Sequence, residues 1–203
     1  MFDPQSRQNN RAARVAMALF RITQGIKKMT QMEGDAVGLS PVQAQALLFI
    51  YHTRSDMATM GNLADSISTT HVTAVKLINS LIDKGLVVKN KNQEDRRITS
   101  LLLTDKGKQV VRNLDRWAGR LENALESLSA NVLANLEIGL GGVVDSLKKE
   151  GYLVVAEPCR GCVHFRPDTG TPEAPHFCAM IQKFLTHEAT LKECPEHSPA
   201  SGE

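Results

Sequence analysis

"TTHVTAVKLINSLIDKGLVVKNKNQEDRRITSLLLTDKG", residues 69–107, reads as a helix, a hairpin and the start of another helix. Ala74, Leu77, Ile78 and Leu81 recur at helical spacing and make one apolar stripe, with His71, Val72, Thr73, Lys76 and Ser80 on or near the opposite side. A threonine opens this pattern and Gly85 stops it. The runs "LVVKNK" (86–91) and "ITSLLL" (98–103) are β-prone and flank the polar tip "NQEDRR", which predicts a two-stranded hairpin. Thr104 then caps a further helix.

Upstream, "MGNLADSI" (60–67) is a short helical pattern, joined to the 69–85 helix by a very short turn. Before it, "SPVQ" is a helix start: Ser40 as the cap, Pro41 at the first position and Gln43 completing a capping box. The buried face of that helix is read as Ala44, Leu47, Leu48 and Tyr51, with His52 a structural residue. Residues 11–30 carry the stripe Val15, Leu19, Ile22, Ile26 and Met29 of an amphipathic helix. Downstream, one long helix from Thr104 bears Val111, Leu114, Trp117, Leu121, Leu125 and Leu128. A second, from Ser129 to near Gly151, bears Val132, Leu136, Leu140, Val143 and Leu147. Its "GLGG" (139–142) weakens a helix by about 1 kcal/mol per glycine, so either close packing against another helix or a kink is expected there.

Charge is divided unevenly. Residues 1–155 carry 20 Lys/Arg against 15 Asp/Glu, and 156–203 carry 4 against 7, so the first part is the candidate for a polyanion partner. No apolar run approaches the roughly 18 residues of a spanning helix, and "MFDPQSRQNNR" lacks the order of a secretion signal. A cytoplasmic address is expected, with no membrane partner and with thiols kept reduced. No serine–histidine–acid arrangement, phosphate loop or cofactor fingerprint points to an enzyme.

A helix–turn–helix followed by a basic hairpin suits duplex DNA, whose major groove admits one helix while the hairpin reaches the neighbouring minor groove. With "LSPVQAQALLFI" and "INSLIDKGLVVKNKNQEDRRITSLLLTDKG" at their spacing, residues 38–112 resemble the winged-helix region of the MarR family of bacterial transcription regulators, and the resemblance extends over roughly residues 10–150. It implies that residues 70–84 are the recognition helix, with Thr70, His71, Val72, Thr73 and Lys76 nearest to bases or phosphates. It also implies that Asp95 holds Arg97 for the minor groove, while Arg96, Lys89 and Lys91 contact phosphates. The family's outer helices form a symmetric dimer, so a homodimer on a pseudo-palindromic double-stranded operator is expected. Many relatives bind a small aromatic effector between the dimer helices and the winged helix. The long stripes of 11–30 and 104–150 favour dimerisation independently, since they exceed what one small winged helix covers.

All four cysteines lie in the last quarter of the chain: Cys159 and Cys162 three positions apart, then Cys178 and Cys194. Six of eight prolines and four of six histidines also lie from Glu157 onward, which marks a small loop-rich module. Four soft ligands in a reduced segment suggest a metal or cluster, and Gly161 permits the tight turn that aims a C-x2-C pair at one centre. A redox-sensing 4Fe–4S cluster, with Zn²⁺ or metal-free thiol oxidation as alternatives, fits this set. His164, His176, His187 and His197 are supporting residues, His164 and His176 the better placed to replace a cysteine. Assembly of the centre is expected to fix the module against the dimer helices.

The fold expected is predominantly α, an α+β winged helix within a helical dimer. Its parts are an N-terminal dimerisation helix (1–37), the winged helix (38–112), C-terminal dimerisation helices (113–155) and the cysteine module (156–203). The function expected is a DNA-binding regulator responsive through the cluster. Its alternatives are a small-molecule-responsive repressor with a structural zinc, or an iron–sulfur redox protein that uses the winged helix for protein interaction.

Overall fold

Ser40 opens the helix on which the fold is assembled. The Gln43 N–H donates to Ser40 Oγ at 3.3 Å and the Ser40 N–H to Gln43 Oε1 at 3.1 Å, the reciprocal box that "SPVQ" predicts. The computed structural model describes residues 1–91, 99–114 and 116–199. Along it run α1 (Arg11–Ala36), α2 (Pro41–His52), α3 (Met60–Ser66), α4 (His71–Asp83), β1 (Val87–Lys91), β2 (Thr99–Leu103), α5 (Asp105–Leu114), α6 (Arg116–Glu126) and α7 (Ala130–Lys149). A small C-terminal unit adds β3 (Phe165–Arg166), β4 (His176–Cys178), β5 (Lys183–Leu185) and α8 (His187–Thr190).

The predicted one-sided burial of α2 is only part of what is found. Ala44 and Leu47 are buried, Leu48 and Tyr51 are half-buried, and Ala46, Phe49 and Ile50 are buried as well. The reason is position: α1, α3, α4, α5 and β2 all pack on this helix, so it has little solvent side to leave polar. In α4 the expected stripe holds, with Ala74, Ile78 and Leu81 buried and Leu77 half-buried, while His71, Val72, Thr73 and Lys76 are exposed.

Gly85 turns the chain at φ +70° into β1, which pairs antiparallel with β2 from Val87↔Leu103 to Lys91↔Thr99. Thr104 then ties the wing to α5. Its N–H donates to Leu86 O, its Oγ1 donates to Gly85 O at 2.7 Å, and that oxygen accepts from the Gly107 N–H at 3.0 Å. Gly107 is required by a close approach, since a Cβ there would lie 2.2 Å from Leu86 O.

The single helix read from Thr104 to Leu128 is described as α5 and α6, on either side of residue 115. The glycines of "GLGG" lie inside one continuous helix, α7, and a Cβ on Gly139, Gly141 or Gly142 would meet nothing within 4 Å, so no packing partner for them stands among the described residues. None of the 20 residues of α7 is buried, and Ile138 is 75 % exposed. Val15 and Ile22 of α1 are exposed too.

The C-terminal unit is an antiparallel sheet in the order β3-β4-β5, with α8 following. Its expected docking on the dimer helices is corrected: it sits on the α2–α3 connection. The Arg54 N–H donates to Glu193 O at 2.8 Å and the Glu193 N–H donates to His52 O at 3.0 Å, so the chain near Cys194 runs as a parallel bridge beside Thr53. Lys192 Nζ donates to Tyr51 O at 2.8 Å and lies 4.7 Å from the Tyr51 ring centroid. Free backbone groups at the end of α2 explain the choice, since a non-helical connection must find hydrogen-bond partners when covered.

Candidate nucleic-acid interface and cysteine centre

Thr70 caps α4, its Oγ1 accepting from the Thr73 N–H at 3.2 Å, so the first turn of the helix is fixed with its side chains facing out. His71, Val72, Thr73 and Lys76 lie together on that exposed face, the arrangement a groove-reading helix needs. Val72 is 64 % exposed, a large apolar group without a core role in this chain. The rear of α4 is held by the Gln43 amide donating to Ser80 Oγ at 3.0 Å. Lys89 extends from β1 and donates to Asn79 Oδ1 at 3.0 Å, which joins the wing to α4. Asp95, Arg96 and Arg97 lie outside the described residues, as does the side chain of Lys91.

The second site is the cysteine centre. Cys159, Cys162, Cys178 and Cys194 all line one small cavity, together with Arg54, His164, Phe165, Met180, Glu196 and His197. Gly161, at φ +82°, makes the turn in which the Cys162 N–H donates to Cys159 O at 3.1 Å. Cys178 comes from β4, and Cys194 is aligned by reciprocal backbone bonds with Glu157. All four are free thiols, three of them buried. His164 and His197 reach the cavity. His176 instead faces His187, Nε2 to Nδ1 at 3.2 Å, with Asp168 Oδ1 at 3.8 Å from its Nδ1.

Arg54 belongs to this cavity although it comes from the connection after α2. It is 2 % exposed, and its Nη1 donates to Cys159 Sγ at 3.2 Å while its Nε pairs with Asp56 Oδ1 at 2.6 Å. Its Nη2 is buried without a partner, and so is His197 Nδ1. Burial by itself lowers the pKa of Arg54, but the Asp56 hydrogen bond and charge, aided by Cys194 and Cys159, hold it above its ordinary value. Burial pushes the Cys159 and Cys194 thiols up, opposed in each case by Arg54.

A consequence for stability follows from that direction. A thiol whose folded pKa is raised contributes stability below its unfolded value of about 8.5 and loses it as pH climbs through the folded value. Reduced, metal-free protein should therefore unfold at lower urea concentration at pH 9.5 than at pH 7.5. A midpoint that rises over this interval contradicts the burial of these thiols.

Among the described residues, no three His, Cys, Asp or Glu side chains lie close enough together to hold a single metal ion. A tetrahedral zinc needs its four sulfurs within about 2.3 Å of one point.

Comparison with known proteins bears on the first site. Residues 37–98 match the model of the MarR family. Over these residues the chain is similar to the MarR family's winged helix. The HTH-type transcriptional regulator YdgJ of Bacillus subtilis (strain 168) is 26 % identical over 112 residues, 55 % of this chain and 65 % of its own length, so the chain spans a little under two thirds of that relative. A MarR transcriptional regulator from Methanosarcina mazei Go1 aligns with a TM-score of 0.57 at 20 % identity, over 67 % of this chain and 97 % of its own. MepR of S. aureus in its DNA complex gives 0.56 at 23 % identity, over 64 % and 97 %. At these identities the likeness is one of fold. The MarR match ends at residue 98, well before Cys159, so the cysteine centre stands on its own residues.

Sequence reading missed Arg54, Asp56 and Glu193 as parts of the second site. Arg54 lies 105 residues from Cys159, and an isolated Arg-x-Asp on a helix–helix connection carries no motif. No helix among the described residues is long and apolar enough to cross a membrane.

Proposed function

We propose that this chain is a homodimeric, sequence-specific DNA-binding transcription regulator whose operator affinity responds to a 4Fe–4S cluster held by Cys159, Cys162, Cys178 and Cys194. The observation that carries the reading is the convergence of all four cysteines, with a buried arginine of the winged-helix domain, on one cavity. A bound cluster supplies one-electron redox chemistry and sensitivity to oxygen. The orphaned Arg54 Nη2 suits it, because thiolate- and sulfide-rich centres are anionic and accept hydrogen bonds.

DNA recognition in this reading belongs to α4 and the wing. His71, Val72, Thr73 and Lys76, behind the Thr70 cap, enter the major groove, Arg97 held by Asp95 enters the minor groove, and Lys89, Lys91 and Arg96 meet phosphates. Pairing of two copies through α1 and α7 supports a pseudo-palindromic site, and the wholly unburied α7 is the surface that such pairing would cover. The name of the MepR complex records that this related fold engages DNA.

The test is anaerobic purification with metal analysis, followed by selection of genomic fragments and a salt-controlled titration on the recovered duplex. Arg97→Ala should weaken binding by about 1–3 kcal/mol. If Arg97→Ala and Lys76→Ala together leave affinity unchanged, the assigned DNA surface is wrong. A colourless protein with one zinc per chain eliminates the cluster. A brown protein with equal affinity with and without iron eliminates the sensing.

A further inference from the structure

Arg54 is the place where the cysteine centre and the DNA-reading elements meet, and the bonds around it run in both directions. Toward the centre, its Nη1 donates to Cys159 Sγ at 3.2 Å and its backbone N–H donates to Glu193 O, the neighbour of Cys194. Toward the winged helix, its Nε holds Asp56, and its carbonyl accepts from the N–H groups of Met57 and Ala58 at 2.8 and 2.9 Å. The next two residues are the docking points of the fold. Ala58 O accepts from the Leu101 N–H of β2 at 2.7 Å, Thr59 bridges Ser100, and Thr59 is the N-cap of α3, the helix that positions α4. The turn from Arg54 to Thr59 therefore touches the wing and the helix–turn–helix at once.

We infer that Arg54 is the positioning residue that couples the cysteine centre to DNA binding, its guanidinium bound on one side by the anionic centre and on the other by Asp56. This rests on the cluster reading above and names the path of its regulation. The physical argument is charge. A guanidinium 2 % exposed is paired with the Asp56 carboxylate and donates to the Cys159 sulfur, which turns anionic when the proposed centre is bound, and its buried Nη2 has no partner and so has a donor left for that centre. With the centre assembled, both sides of the fork are held and the 54–59 turn is fixed. With the centre lost, the Asp56 pair remains but the module side is released, together with the bridge from Glu193 to His52 and Arg54. A difference in how well the two states hold this turn is a difference in DNA affinity.

The test uses the full chain and the duplex recovered by wild-type selection. Three variants are compared with wild type: Arg54→Gln, Arg54→Lys and Asp56→Asn. Each is titrated with that duplex in iron-loaded and iron-free form, and its cluster midpoint potential is recorded. A nearby cation favours the reduced, more negative centre, so Arg54→Gln should lower the potential, by about 59 mV for a tenfold shift of a one-electron equilibrium. Arg54→Lys keeps the charge and should move the potential less. Wild type should differ by at least tenfold in affinity between its two forms, and Arg54→Gln and Asp56→Asn by less than twofold. Asp56→Asn leaves the thiols untouched and decides the matter should Arg54→Gln fail to take up iron. A wild-type response that persists undiminished in Arg54→Gln with an unchanged potential, or in Asp56→Asn, overturns this inference and leaves the cluster reading standing. A wild type without a cluster, or with equal affinities in the two forms, overturns both.

Discussion

On the cluster reading proposed above, Cys159→Ser should lower the iron content from about four atoms per chain to less than one. Cys159 is 4 % exposed, its N–H donates to Thr190 O, and its sulfur is the acceptor of Arg54 Nη1, so the surrounding chain holds it in place. Serine keeps the shape but offers a hard oxygen of much higher pKa, which a soft iron–sulfur centre binds poorly. The effect reaches the fold as well, because a segment this rich in prolines and loops has a small core, with Leu185 buried and Phe165, Ile181 and Ala189 packed about the cysteines. Metal binding to such a segment is folding free energy, on the order of 10 kcal/mol in small metal-dependent domains. The variant should lose the brown absorbance and be nicked within residues 156–199 by dilute protease at least tenfold faster than the iron-loaded wild type. Full iron content with an unaltered spectrum would remove Cys159 from the ligand set.

Gly107→Ala should lower the unfolding midpoint by roughly 4–8 °C, equivalent to about 2 kcal/mol in a chain of this size. The added Cβ would lie 2.2 Å from Leu86 O, 3.2 Å from Leu86 C and 3.4 Å from Leu103 Cβ, and the first two of these are backbone atoms that cannot swing aside. Either α5 lifts away from the wing or the bond from Thr104 to Leu86 O breaks, and with backbone atoms in the way the cost lies at the upper end of overpacking, about 3 kcal/mol. Alanine recovers about 1 kcal/mol of helix propensity, too little to offset the clash. Gly61→Ala is the control, since nothing lies within 4 Å of a Cβ there, and it should change stability by no more than about 1 kcal/mol. Equal melting of Gly107→Ala and wild type would disprove the close approach.

Much of the winged helix was legible in the residues because its signals are local. The Ser40 and Gln43 box, the Thr70 cap, the Gly85 turn and the stripe of Ala74, Ile78 and Leu81 depend on neighbours within a few positions, and the structure repeats each of them. The Thr104 cap was readable in the sequence, but the need for Gly107, where the helix lies against the Leu86 carbonyl, belongs to packing. The wider burial of α2 was hidden for a related reason: Phe49 and Ile50 are buried by elements that periodicity within one helix does not register.

For the cysteine centre the division is sharper. Sequence by itself placed four thiols in one segment, with a glycine free to turn between the first two, now found at φ +82°. Only the tertiary structure decided where that segment rests and what charge faces it. Backbone groups left open after α2 pair with Glu193, and this brings Arg54 to Cys159 across 105 residues of chain. A hydrogen bond between distant residues leaves no periodic trace, because its geometry is set by how the intervening elements stack and not by the spacing of the two partners.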